Sequence, residues 1–379
     1  MAILTEEQTM LRDSAKGWVA DKAPVAALRA LRDSGAWKTG YDVASFAQMA
    51  EMGWTGVIIP EAFGGSELGV RAIGLVLEET GRTLAASPLH ASALVCASAL
   101  MLGGSDAQKT AWLPKIAAGE AVAALAVDEG AHHKPASVAM SATAKGSGFV
   151  LSGKKRFIPE GAAADLVIVA ARTSGSAGET AGITLFLVEK GVKGLSTTPL
   201  HAIDNRGHAD LVFDQVEVAA DAVLGEVGKG FDVLGPVLDR GAAGLAAEML
   251  GTATQAFEVI LDYLKTRTQF GQLIGSFQAL QHRAAKLFTE LELTRSCVEA
   301  ALDAIDRGDA SAPSLVSLAK TKANETLHLA SIEMVQMHGG IGMTDAHDAG
   351  LYMKRARVAE ALYGSSSYHR DRYATLGGF

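Results

Sequence analysis

At 379 residues, 49% of them hydrophobic, the chain is longer than one compact core needs and has apolar side chains enough for two or three packed units. Its 34 basic and 42 acidic residues leave a formal charge of −8. With no long basic run, this argues against nucleic acid or an anionic membrane surface as the main partner and favours small organic ligands. The two cysteines, Cys96 and Cys297, have no disulfide or metal-ligand spacing, so a reducing cytoplasm and no metal are expected.

The opening stretch "MAILTEEQTMLRDSAKGWVAD" is acidic from Glu6 and lacks the basic and apolar regions of a signal peptide. Thr5 and Gln8 form a capping box, and Leu11, Ala15, Trp18 and Val19 recur on one helical face. Helical periodicity, broken by turn signals such as "PEAFGGSELG", continues to about residue 120. The longest uncharged apolar run, "ASALVCASALML" at 91–102, is too short to span a bilayer. Residues 1–121 are therefore expected to be an α-helical domain.

From about 122 the texture changes to short β-rich runs: "AVAALAV", "GFVLSGKKRFI", "DLVIVAAR", "GITLFLVEK" and "ADLVFDQVEV", separated by Gly, Ser and Asp clusters. Residues 122–226 are expected to form a mainly antiparallel β domain, a small barrel or sandwich. Long helical patterns return after "LGEVGKG", so residues 227–379 are expected to form an antiparallel four-helix bundle. The fold class is α+β, multidomain.

Two clusters carry candidate chemistry. "RTQFGQLIGSFQALQHRAAKLF" at 267–288 reads as an amphipathic helical stretch interrupted by glycines. Its Arg267 offers a planar fork suited to a phosphate pair, and Phe270 and Gly271 add a flat apolar surface and a backbone break. These parts suit a nucleotide, or equally a surface arginine beside a capping glycine. "QMHGGIGMT" at 336–344 ends an apolar helix on paired glycines, which either admit a ligand to the backbone or merely cap the helix. Gln336 can donate and accept at an adenosine.

Neither a Rossmann nor a P-loop glycine pattern is present, and "GEVGKG" matches one only in glycine content. His132 and His133 are adjacent in a loop and read as loop residues rather than metal ligands.

Taken in order, "IPEAFGG" at 59–65, "LSGKKRFI" at 151–158, the glycines of 224–230, "RTQFGQLIGSFQALQH" at 267–282 and "QMHGGIG" at 336–342 resemble the acyl-CoA dehydrogenase family over nearly the full chain. The resemblance implies FAD at a subunit interface, with the last two segments reaching the ADP half of the neighbouring subunit's FAD. Arg267 would then meet the pyrophosphate and Phe270 the nucleotide, with Phe277 and Gln278 nearby. Gln336, Gly339 and Gly340 would line the adenosine, and Phe157 would stack on the flavin side. The implied reaction is α,β-desaturation of an acyl-CoA thioester, with electrons passed to an electron-transfer flavoprotein.

The resemblance also locates departures. The family's usual base, a glutamate before Gly-Thr, is matched by Tyr363 in "EALYGSSSYHRDR", and its alternative position is matched by Gly241. Asp239, two residues from Gly241, should point elsewhere, because two residues on a helix rotate by about 200°. Glu360 is a weak substitute. Where family members carry Trp-Ile-Thr or Trp-Ile-Ser, this chain has Phe157, Ile158 and Pro159, and proline offers neither hydroxyl nor N–H. The family's Thr-Glu-Pro and Gly-Ser-Asp loop appears as "VDEGAHHKPAS". The residues acting in trans are kept and those acting in cis have eroded. That pattern resembles the partner-type subunit of mixed assemblies that act on steroid side chains, other bulky acyl groups or dicarboxylates. A homo-oligomer, and a flavin oxidase or monooxygenase on the same fold, are the alternatives.

Overall fold

The computed structural model describes residues 4–379, which divide into two compact units. One gathers residues 4–28, 70–85 and 242–379; the other comprises Arg29–Gly69 and Ala86–Gly241.

The second unit begins with the helices α2 (Val25–Asp33), most of which belongs to it, and α3 (Val43–Glu51), which follow α1 (Glu6–Lys22) in the chain. After α4 (Gly69–Arg82) come a π-helical turn at Leu89–Cys96, α5 (Ala97–Gly103) and α6 (Asp106–Ala117). Ser105 and Gln108 cap α6 reciprocally, and the Gln108 amide also donates to the carbonyls of Asp221 and Val223, tying the helix to the β segment.

The strands are β1 (Ala123–Ala126), β2 (Ser141–Lys145), β3 (Gly148–Ile158), β4 (Leu166–Arg172), β5 (Ile183–Glu189), β6 (Leu195–Pro199), β7 (Ala209–Val218) and β8 (Val223–Leu224). They form one sheet in the order β6-β7-β3-β2-β4-β5-β8, with β1 paired to β4. Every expected apolar run is a strand. Pairing is antiparallel except that β1 runs parallel to β4, as does β2 at the single register Ser141 to Arg172. Phe186 of β5 and Phe213 of β7 stand far apart along the sheet yet share one core cluster with Leu151, Val167 and Leu211. The sheet is therefore curled around its own apolar face.

The first unit packs α1 and α4 with α7 (Phe231–Thr266, of which residues 242–266 belong here), α8 (Gln278–Asp306), α9 (Ala312–His338), α10 (Ala349–Ala361) and α11 (Ser366–Leu376). The Thr5–Gln8 capping box is formed, and Ala15 and Val19 are the buried positions of α1. Helices α4 and α7 cross at two glycines: a Cβ on Gly81 would stand 2.1 Å from the Glu248 carbonyl oxygen, and one on Gly251 1.8 Å from that of Glu78. Only glycine permits that approach. Beside the crossing, Arg355 and Glu248 form a buried ion pair at 2.9 Å.

The segment after α7 differs from expectation. Thr268–Gln269 (β9) and Gln272–Leu273 (β10) pair antiparallel, and Phe270 and Gly271 form the turn at φ +52° and +79°. Two successive positive φ values match the twist of a two-residue hairpin, so α8 begins only at Gln278.

Candidate functional site

In the bundle unit, the structure brings the two clusters together at one end. The backbone N–H of Arg267 donates to Tyr263 at 2.8 Å, and Ile274 returns a bond to the Arg267 carbonyl at 2.9 Å, closing the hairpin. The Tyr263 ring lies 4.4 Å from that of His338, which lies 4.2 Å from that of His347. Since Gly339 follows His338 and Gln336 stands two residues before it, the base of the hairpin and the end of α9 are neighbours. Burial holds the His338 imidazole below its ordinary pKa.

Arg267, Gln278, Gln336, Gly339 and Gly340 are exposed, and Phe277 is half-buried at the N-cap of α8. Phe270 is 90% exposed and meets Phe277 edge-on at 6.1 Å. Gly339 ends α9 at φ +62°, and an added Cβ at Gly339 or Gly340 would touch nothing. The paired glycines are thus both a helix cap and an open surface.

Within the β unit, Phe157 occupies an irregularity where the β3–β7 register shifts between Lys155 and Ile158. Such bulges re-aim a side chain. Phe157 takes φ +54° and is 45% exposed, its N–H donates to Asp210 Oδ1 at 3.0 Å, and the Arg156 guanidinium lies 5.1 Å from its ring.

Next to it, the loop matching the family's phosphate segment is pinned internally. Lys155 Nζ, fully buried, donates to the Val127 carbonyl at 2.9 Å and Glu129 Oε1 at 2.7 Å. Glu129 also accepts from the N–H groups of Ala139 and Met140. Burial pulls the Lys155 ammonium down to about 8, with Glu129 opposing the shift. His133 Nδ1 sits 2.8 Å from Asp128 Oδ2, and no metal-binding cluster occurs among the described residues.

Of the two residues that the sequence resemblance matched to the family's base, Tyr363 follows α10 at φ +56°. Gly241 lies within α7, its carbonyl 2.7 Å from Nε2 of buried His90, which stands in the π-helical turn. Glu360 is bonded through both oxygens to Arg357 Nη1 (2.9 and 3.0 Å) and lies 3.3 Å from His328 Nδ1. Both oxygens of this carboxylate are thus engaged by a guanidinium rather than free to take a substrate proton. Sequence reasoning does not find His90, Asp210, Lys155 or Lys320. Only the π turn singles out His90, and no local pattern announces it.

Comparison with known proteins shows the family to which the chain belongs. Three family descriptions cover the chain: "Acyl-CoA dehydrogenase, N-terminal domain" over residues 5–120, "middle domain" over 124–216 and "C-terminal domain" over 228–375. Mitochondrial isovaleryl-CoA dehydrogenase of Pongo abelii is 34% identical over 85% of this chain and 78% of its own. Butyryl-CoA dehydrogenase of Megasphaera elsdenii superposes with a TM-score of 0.92 at 27% identity, covering 100% of both chains. A variant of the Tcur3481-Tcur3483 steroid ACAD superposes at 0.87 with 30% identity, covering 98% of both. The chain belongs to the acyl-CoA dehydrogenase family: flavoprotein oxidoreductases acting on CH–CH bonds, with FAD as cofactor.

The residues present fit that cofactor. An exposed guanidinium, a solvent-facing aromatic ring, an exposed amide and two glycines with open space form the donor set and flat surface that an ADP moiety needs. Among the described residues no helix is long and apolar enough to cross a membrane.

Proposed function

We propose that this chain is a subunit of a cytoplasmic acyl-CoA dehydrogenase of mixed composition, in which it completes an FAD site and a catalytic paralogue supplies the base. The observation that carries this is the contrast at its sites. Tyr363 and Gly241 stand at the positions matched to the family's base, and Glu360 is engaged by Arg357, while the residues matched to the trans flavin site are grouped at one end of the bundle and, Phe277 apart, exposed.

FAD supplies hydride acceptance from the β-carbon, and electrons leave to an electron-transfer flavoprotein. The chain's own residues bind and orient. Arg267 neutralises pyrophosphate charge, and Phe270 and Phe277 cover the nucleotide. Gln336, Gly339 and Gly340 line its adenosine, and Gln278 lies close by. Phe157 offers a stacking face held by Asp210. A bulky acyl thioester is the substrate class, a reading that rests on the resemblance to the partner-type subunit of mixed assemblies. The functional segments are 1–121, 122–226 and 227–379.

The test is to purify the chain with and without co-expressed genomic neighbours and measure flavin content and anaerobic bleaching by acyl-CoA. About half a flavin per chain, with activity only in the mixture, is expected. One flavin per chain with full turnover in a homogeneous preparation would refute the reading, and rapid reoxidation by air would favour an oxidase.

A further inference from the structure

The turn that carries Tyr363 is held from both sides by buried polar side chains. Lys320, in the first half of α9 and fully buried, donates from Nζ to Asn324 Oδ1 (2.6 Å), the Ala359 carbonyl (3.0 Å) and the Gly364 carbonyl (3.2 Å). Three acceptors match the three N–H bonds of an ammonium. The Asn324 amide adds a longer contact to the same Gly364 oxygen at 3.4 Å.

From α11, buried His369 approaches the preceding carbonyl, with Nε2 2.8 Å from Tyr363 O. A carbonyl only accepts, so Nε2 carries the proton, and Nδ1 faces Ser317 Oγ at 3.4 Å. Arg372 Nη1 reaches the same hydroxyl at 3.1 Å.

The conformation so held is an unfavourable one. Tyr363 takes φ +56° and Gly364 φ +107°, and a bulky aromatic residue persists at positive φ only where its surroundings over-determine it. Gly364 is closed to any side chain, because a Cβ there would stand 2.4 Å from the Tyr368 ring and 2.9 Å from His369 Nε2.

We propose that Lys320 is a positioning residue for the substrate site: with His369 it grips successive carbonyls of the Tyr363–Gly364 turn and so fixes the Tyr363 ring. What the ring faces, the acyl thioester, rests on the proposed function; the clamp rests on its hydrogen bonds alone. Burial draws the ammonium down to about 7, with Glu360 opposing the shift and Arg355 adding to it. A neutral amine has two N–H bonds for three acceptors, so the grip weakens as pH rises past neutrality.

Hydrogen exchange read by mass spectrometry on the flavin-loaded assembly tests this. Lys320→Met keeps the stem and removes the donors. Exchange in peptides covering 362–366 is expected to rise at least tenfold at pH 6, while peptides of β4 and β5 change less than twofold. In the wild type, protection of the same segment should fall between pH 6 and pH 9 after correction for intrinsic rates, and Lys320→Met should abolish that dependence.

Unchanged protection of 362–366, or equal loosening of every bundle helix, would overturn the proposal. Should Lys320→Met fail to fold, His369→Phe preserves ring volume while removing the other grip. It should loosen the same peptides, and unaltered exchange there also overturns the clamp. Failure of any acyl-CoA to bleach the flavin would sink the proposed function and leave the exchange result standing.

Discussion

Truncation of Arg267 separates cofactor binding from folding, because the residue's structural bonds belong to its backbone. Its N–H donates to Tyr263 and its carbonyl accepts from Ile274, and both survive Arg267→Ala, while the guanidinium is exposed. The change should therefore alter apoprotein stability by no more than about 0.5 kcal/mol, as for surface positions generally. Under the proposed function the lost interaction is a charge-assisted hydrogen bond to pyrophosphate, worth about 1.5 to 3 kcal/mol. Divided by about 1.4 kcal/mol per decade, this raises the FAD dissociation constant about 10- to 150-fold. Ultrafiltration of the purified assembly, reading flavin absorbance in the filtrate, measures that constant, and thermal unfolding of the flavin-free form checks the fold. A wild-type dissociation constant would refute the placement of Arg267, and lost flavin together with a collapsed melting transition would show that the hairpin is structural.

Phe270→Gly should relieve the φ +52° strain, stabilising the apoprotein by about 1 kcal/mol in denaturant titration, while weakening FAD retention; loss of both would assign Phe270 to the fold. Glu360→Gln removes a partly solvated ion pair with Arg357 and should cost less than about 1 kcal/mol, leaving anaerobic bleaching unchanged. Abolished bleaching would make Glu360 the base after all. Lys155 has a folded pKa of about 8, below its unfolded value, so between pH 8 and the unfolded pKa near 10.4 the unfolded chain binds more protons and stability rises with pH. Over that window the wild type should gain up to about 3 kcal/mol relative to Lys155→Met, because each tenfold difference in proton affinity is worth about 1.4 kcal/mol. Urea titrations at successive pH values measure it. A parallel pH response of the two proteins would refute the burial of that charge.

What is legible in the sequence follows from the range of each interaction. Strands β1, β3, β4, β5 and β7 carry apolar runs that only a buried sheet explains, and these runs mark them. Strands β2 and β6, "SATAK" and "LSTTP", are largely exposed, so neither burial nor alternation marks them. The hairpin at 268–273 reads as part of a helical stretch because its turn is Phe-Gly, without the Asn-Gly or Asp-Gly that would announce two positive φ values. Lys320 sits in "AKTKAN" and Lys155 in "GKKRF", where a lysine reads as solvent-facing. Their burial is decided by carbonyls 28 to 44 residues away, which no local pattern encodes. Asp210 anchors Phe157 across 53 residues and is hidden for the same reason.

Backbone strain gives an account of the site that does not pass through sequence resemblance. Among the described non-glycine residues with positive φ, the aromatic ones are Phe157, Phe270 and Tyr363. Each conformation costs on the order of 1–3 kcal/mol, and a chain selected for stability alone would remove it with glycine or asparagine. Each is held by different means: a register shift and Asp210 for Phe157, the hairpin turn for Phe270, and the grip of Lys320 and His369 for the Tyr363 turn. Three unrelated devices converge on one outcome, an aromatic ring at a position where the backbone resists it. These are also the positions matched to the flavin face, the nucleotide and the base. If strain and site coincide because the rings serve the ligand, replacing all three with asparagine should yield a more stable chain that binds no FAD. A triple variant no more stable than the wild type would show that the strain is relieved by contacts within the fold, and the coincidence would then say nothing about function.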